Sequence, residues 1–372
     1  MDTTQRALIM QRWNVVQHEL LPELKEQVGA LTPKLVKVVH TLEWVRIEEY
    51  VEQTWLGIGR PPHDRCALAS AFVAKAVLVL KTTAGLIERL MMDKALRRIC
   101  GFPVNRRVPG ESIFSRAFAG FAETGLAERT HEALVKSSLG DTLIGHISRD
   151  GTAIEAREKP VKTEKKEAAP ENKPAKRRPG RKKKGEVAAA PKLTRIAQQL
   201  QQGLPRMVAE LPKGCDRGSK CNAQGYKNSW NGYKLHIDTA DCGVPISAIL
   251  TSASMHDSGA AIPLSQMTAS RVTNCYDLMD AAYCSEELRA HCKSLGHVPL
   301  IDHNPRGGEK KEFLPHEARR YNERTGAERT NARLKDEFGG RDVRVRGHAK
   351  VMSHLMFGLL ALTADQLMRL FT

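Results

Sequence analysis

The chain has 372 residues, 41% of them apolar, and a formal net charge of +16. That length and apolar content allow a sizeable core divided over two or three units and exclude a wholly disordered protein. The charge points to a polyanionic partner, because Lys and Arg displace condensed counterions from phosphates, but it does not separate DNA from RNA or acidic lipid.

Eight cysteines are scattered without a Cys-x-x-Cys pair, the usage of reduced thiols in a cytoplasmic protein rather than of a secreted scaffold. The N-terminal MDTTQRALIMQRWN is polar where an export signal needs an apolar stretch. Apolar residues then recur at helical spacing to about residue 140, as at Phe72, Ala76, Val79 and Leu80. Residues 1–140 therefore read as an all-helical N-terminal domain. Pro61 and Pro62 precede one long helix, and Gly101, Pro103, Pro109 and Gly110 precede another that starts near Ser112. On the latter, Ser115, Arg116 and Phe118 could touch DNA, although a helix with one arginine also suits plain solvation.

Residues 157–195 depart from this pattern, with about fifteen Lys or Arg against about five Glu and no apolar period. They read as a disordered or extended basic insertion, which extends to about residue 225 before strand signals resume. Its run Lys176, Arg177, Arg178, Arg181, Lys182, Lys183 and Lys184 is expected to bind DNA phosphates irrespective of sequence. Arg178-Pro-Gly-Arg181 has the look of an AT-hook for the minor groove, and a solvated linker is the plainer alternative.

Strand and helix signals then alternate. NGYKLHIDTADCGVPISAILTSAS reads as a hairpin turning at Asp241, Cys242 and Gly243. A helix follows from Asp257 and Ser258 to about Ser270, then a strand ending at Met279, a helix capped by Ser285 and ended by Gly296, the strand VPLID, and a charged helix over 315–338. With LIGHISRDG as the first strand, the order is strand, strand, strand, helix, strand, helix, strand, helix. This is a ribonuclease-H-like α/β fold, a mixed sheet flanked by helices, and residues 141–372 are assigned to it as the catalytic domain. The apolar segment 352–371 contains His354, Asp365 and Arg369, so it reads as a core helix rather than a membrane span.

Asp150 ends the first strand and Asp280 the fourth. In such a fold these strands are neighbours, so both carboxylates leave the same sheet edge, and two hard oxygen donors suit Mg2+. A turn or cap role is the alternative for either alone. In the last helix Tyr321, Arg324, Glu328 and Lys335 stand at offsets of three, seven and fourteen residues, within about 60° of arc at 100° per residue. One such stripe fits a metal ligand among phosphate contacts, while Glu323, Arg329, Arg333 and Asp336 leave a merely solvated face open.

Tyr-x2-Arg-x3-Glu-x6-Lys at these four positions is similar to the YREK signature of the DDE transposases of bacterial insertion sequences. Asp280-Ala-Ala-Tyr283 resembles their second conserved block and Asp150-Gly-Thr152 their first, and Gly59-Arg-Pro-Pro62 with the helices after it looks like their N-terminal domain. The resemblance implies that Asp150, Asp280 and Glu328 are catalytic and hold two Mg2+ ions, which Mn2+ replaces, while Tyr321, Arg324 and Lys335 contact DNA near the cut. It implies metal-dependent cleavage of element ends and strand transfer into target DNA. The protein would act as a homo-oligomer on terminal inverted repeats, at the nucleoid and away from membranes, with the N-terminal domain binding ends and assembling the complex. The alternatives are a ribonuclease-H-like nuclease that does not join strands and a domesticated, non-catalytic DNA-binding protein.

About 47 residues separate Asp280 from Glu328, too few for the strand-rich insertion of many relatives, so a hairpin intermediate is not implied. Asp238 and Asp241 are expected in turn roles and Asp257 as a helix cap, with Asp257 the main rival as a further metal ligand.

Overall fold

The computed structural model describes residues 3–52, 62–160, 193–221, 224–305, 309 and 311–371. Gly59, Arg60 and Pro61 lie outside the described residues, as do Lys176, Arg177, Arg178, Arg181, Lys182, Lys183 and Lys184.

Before the first strand come α1 (Thr3–Val15), α2 (Leu21–Val28), α3 (Pro33–Val45), α4 (Arg65–Val77), α5 (Thr83–Met92), α6 (Lys94–Ile99), α7 (Glu111–Glu123) and α8 (Leu126–Leu139). Short polar side chains start several of them: Thr32 accepts from the Leu35 N–H, Asp64 from Cys66 and Ala67, Thr82 from Gly85 and Asp93 from Leu96. The expected stripe along α4 stops short of Val79, which is exposed with φ 54°. The N–H of Leu80 returns to the Lys75 carbonyl and that of Val79 to Ala76, closing the helix in a left-handed cap that sequence periodicity does not reveal.

The strands are β1 (Leu143–Glu155), β2 (Asp216–Cys221), β3 (Lys227–Ala240), β4 (Pro245–Ser252), β5 (Thr273–Met279) and β6 (Val298–Ile301). The sheet runs β4–β3–β1–β5–β6, with β2 pairing the start of β3. β3 is antiparallel to β1 and β4, whereas β5 runs parallel to β1 and β6 to β5. The expected hairpin forms, and Gly243 supplies the positive φ of its turn, +79°. The fold is thus the expected ribonuclease-H-like α/β arrangement, with helices α11 (Ser258–Ala269) and α12 (Glu286–Ser294) in the connections.

Two elements differ from expectation. Residues 193–221, assigned to a disordered insertion, form α9 (Arg195–Gln199), α10 (Leu204–Glu210) and β2; Met207 is buried in a cluster with Met279, Leu288 and Ile301, which fixes the return of the chain to the sheet. The helix expected over 315–338 is two helices, α13 (Pro315–Asn322) and α14 (Thr325–Glu337). The Thr325 hydroxyl donates to the Asn322 carbonyl, and the amides of Arg324, Gly326 and Ala327 bond three residues back instead of four. Thr and Gly at 325 and 326 favour such a tightened break.

The last helix, α15 (His348–Phe371), is long and apolar enough to cross a membrane, and 78% of its apolar window is buried in the fold. It packs against α3, α4, α7 and α8 and also against β4 and α14. One hydrophobic cluster consequently runs from Leu35 and Phe72 through Ile147 and Leu250 to Leu360 and Leu367. Secondary structure changes character at β1, yet the core continues across that point.

Candidate active site

Arg149 of β1 is in register with Met279 of β5, so the next residues, Asp150 and Asp280, are neighbours where that parallel pairing stops. Asp280 follows the end of β5, but Asp150, expected at a strand end, lies within β1, which runs on to Glu155 with Asp150 opposite Ile237 of β3; pairing with β3, which a local apolar-to-polar change does not reveal, extends the strand. Asp280 is anchored by the Ala282 N–H at 2.9 Å, and Asp150 Oδ2 accepts from Asn331 Nδ2 at 3.0 Å. Burial pushes the Asp150 carboxyl up to about 6, opposed by Lys220 and Arg324 and reinforced by Asp280. Burial also raises Asp280, with the negative Asp257 adding to the shift and Arg324 and Lys220 resisting it. Both carboxyls therefore carry an electrostatic penalty that nearby cations only partly relieve.

Alternation along β1 turns Arg149 to the opposite face from Asp150. There Arg149 donates to both carboxylate oxygens of Asp238 at 2.8 and 2.7 Å, and the Thr268 hydroxyl donates to the same carboxylate at 2.7 Å. Asp238, expected in a turn role, is instead a fully buried residue of β3. A bidentate pair with an added hydroxyl satisfies charges that burial would otherwise make prohibitive. Asp241 does hold the turn, accepting from the Cys242 and Gly145 amides. Asp257 precedes α11 without capping it through its side chain; it pairs with Lys234 at 3.0 Å and lies 3.7 Å from His236 Nδ1. Space for it depends on Gly151, where a Cβ would stand 2.7 Å from Asp257 Oδ1.

Across the aspartates lies α14, set against β1 and β3. Asn331 reaches Asp150, and one turn further Lys335 Nζ donates to the Thr152 hydroxyl at 2.6 Å. Glu328 stands one turn before Asn331 on the same face; its side chain is 55% exposed and bonds Arg324 at 2.8 Å. The helix break separates Tyr321 from this face, so the four residues of the expected stripe do not share one continuous helix. Tyr321 packs on Phe313 with ring centroids 4.7 Å apart, and the Arg324 guanidinium sits 6.0 Å from its ring. Burial works against the Arg324 charge, but Tyr321, Asp150 and Glu328 together hold it more firmly protonated.

Arg324 thus acts on all three candidate carboxylates: it bonds Glu328 and lies within electrostatic reach of Asp150 and Asp280. Among the described residues no three His, Cys, Asp or Glu side chains converge closely enough to hold a metal ion. Asp150 and Asp280 come together, and Glu328 is turned toward Arg324 instead. Sequence reasoning missed Asn331 and Lys220. Asn331 could have been found by extending the Glu328 face by one turn, whereas Lys220 lies in β2, inside the segment taken for insertion.

Residues 207–364 match the family model of the transposase DDE domain, and residues 19–119 match that of a transposase domain, DUF772. The two matches support a DDE transposase with an N-terminal domain. Asp280 and Glu328 lie within the first match, but β1 and Asp150 precede it, so that match says nothing of Asp150, which the fold brings beside Asp280 and Asn331. Comparison with curated proteins and with solved structures gives no match. Transposases of this class act on DNA and generally use divalent metal ions.

Proposed function

We propose that the chain cuts the ends of a mobile DNA element and joins them to target DNA, with Asp150, Asp280 and Glu328 as catalytic metal ligands. The juxtaposition of Asp150 with Asp280, where the parallel pairing of β1 and β5 stops and opposite the α14 face that carries Asn331 and Lys335, supports this reading. The donor set fits a hard divalent cation: two carboxyls raised by burial face the cations Arg324 and Lys220, and Mg2+ takes such ligands together with phosphate oxygens. Mn2+ would substitute. When bound, a metal pair supplies an activated water or 3′-hydroxyl and stabilises the departing oxygen.

The protein's own groups would then divide the work. Asn331 orients Asp150, and Lys335 and Tyr321 hold phosphates beside the cut. Arg324 would exchange Glu328 for a phosphate. Residues three apart on a helix have Cβ atoms about 5–6 Å apart, so a rotamer change at Glu328 would carry its carboxylate toward the Asn331-bound Asp150. The helices of residues 1–140 would bind element ends and help assemble a homo-oligomer, and the run Lys176–Lys184 would add sequence-independent affinity.

Asp150→Ala, Asp280→Ala and Glu328→Ala are each expected to abolish Mg2+-dependent strand cleavage while DNA binding persists in a mobility-shift assay. Cleavage retained by any one of them removes that residue from the site. Loss in Asp257→Ala but not in Glu328→Ala would transfer the third role to Asp257.

A further inference from the structure

Away from the aspartates, a cavity of about 610 Å³ opens where α4, α5 and α7 meet the segment that follows α14. Phe72, Phe118 and Phe357, packed ring against ring, line it together with Phe338. Its rim carries Lys75, Arg157, Arg344, Arg346 and Lys350 against one acid, Glu111. Nearby arginines do find acids, as Arg333 does with Glu337 and Arg341 with Asp336. The five rim cations form no ion pair among the described residues, and Arg157, Arg344, Arg346 and Lys350 are exposed. Lys75 is more enclosed: burial lowers its ammonium to about 8, against the opposing pull of Asp342. Like charges gathered on one rim repel, and a polyanion laid across them turns that repulsion into attraction.

The rim also continues the candidate active site. Lys335 bonds Thr152, two residues beyond Asp150 on β1; Arg341 lies within electrostatic reach of Glu155, where β1 ends; Arg157 follows on the rim itself. Cations thus step outward from the aspartates along one strand. The seven residue steps from Asp150 to Arg157 span at most about 23 Å, no more than the length of about seven base pairs of duplex.

We propose that this basic rim binds the phosphate backbone of the same DNA whose cut phosphate sits at Asp150 and Asp280, within about seven base pairs of the cut. The inference rests on the transposase reading of that site. Flexible, exposed Arg and Lys suit phosphates rather than base edges, so the contact fixes register without selecting sequence. Because α4, α5 and α7 supply one wall and the segment after α14 the other, bound DNA would tie the N-terminal helices to the catalytic face.

The test compares the full chain with the triple variant Arg344→Ala, Arg346→Ala, Lys350→Ala on a duplex of about 30 base pairs, by fluorescence anisotropy over a salt series. Three lost phosphate contacts should shrink the slope of log affinity against log salt by about two to three and weaken binding at least about tenfold near 0.1 M salt. The charge-retaining R344K, R346K variant should keep the slope. An alanine variant with the wild-type slope and the wild-type unfolding midpoint overturns the inference. So does a variant that changes self-association in sedimentation while DNA affinity holds. Neither result touches the transposase reading, which fails separately if the wild-type chain never cuts or joins DNA.

Discussion

Burial holds the Asp150 carboxyl at about 6, above the ordinary aspartate value near 4. The folded chain therefore keeps a proton that the unfolded chain releases, so stability falls as pH rises between about 4 and 6, and the full penalty persists above that window. A two-unit shift corresponds to about 3 kcal/mol at most. Asp150→Asn should accordingly stabilise the protein by about 1–3 kcal/mol at pH 7 and by little at pH 4, read from urea unfolding; a variant less stable than wild type at pH 7 contradicts this. Asn331 bonds Asp150, and if Asp150 holds metal as proposed, loss of such a supporting hydrogen bond commonly lowers metal affinity or activity about 10–100-fold. Asn331→Ala should show that loss in a Mg2+ titration of cleavage, whereas an unchanged titration would remove its positioning role. The nearness of the two aspartates was legible because β1 and β5 were expected as neighbours, but Asp150 lies inside β1 rather than at its end, since pairing with β3 carries the strand on to Glu155. Asp238 was misplaced because its partner Arg149 lies 89 residues away, beyond any local pattern.

Among the elements, α14 depends on close approach to α15. A Cβ on Gly358 would stand 2.8 Å from the Phe338 carbonyl oxygen and 3.0 Å from Leu334 Cδ1, so Gly358→Ala must push the end of α14 outward. Overpacking of this kind costs about 1–3 kcal/mol, and because α14 carries Asn331 and Lys335, cleavage should fall more than DNA binding. A melting temperature and cleavage rate equal to wild type would show that the contact relaxes without moving α14. The hairpin, the Ser285-capped helix and its Gly296 stop were readable from turn and cap chemistry. The break at residues 323–324 was not, because a 3.6-residue period continues on paper through Thr325 and Gly326. β2 escaped notice because six polar or small residues, Asp216–Cys221, owe their strand form to pairing with β3 rather than to their own pattern.

At the scale of the whole molecule, α15 joins the helical region and the sheet in one hydrophobic cluster, from which a single folding unit is expected. Leu360, fully buried in the shared core, is a direct probe: Leu360→Ala should cost about 2–5 kcal/mol and lower a single calorimetric transition, and two separately shifted transitions would contradict the shared core. The sequence announced a core helix over 352–371, but a linear pattern could not show that it binds both halves of the chain. DNA joining is measured most directly by combining the purified chain, Mg2+, a duplex ending in the sequence that flanks its reading frame, and circular target DNA. The prediction is covalent joining of the duplex 3′ end to the circle, absent with EDTA and absent in Asp150→Ala and Asp280→Ala. Joining that survives in either variant, or wild-type cutting that never yields a joined product, would contradict it.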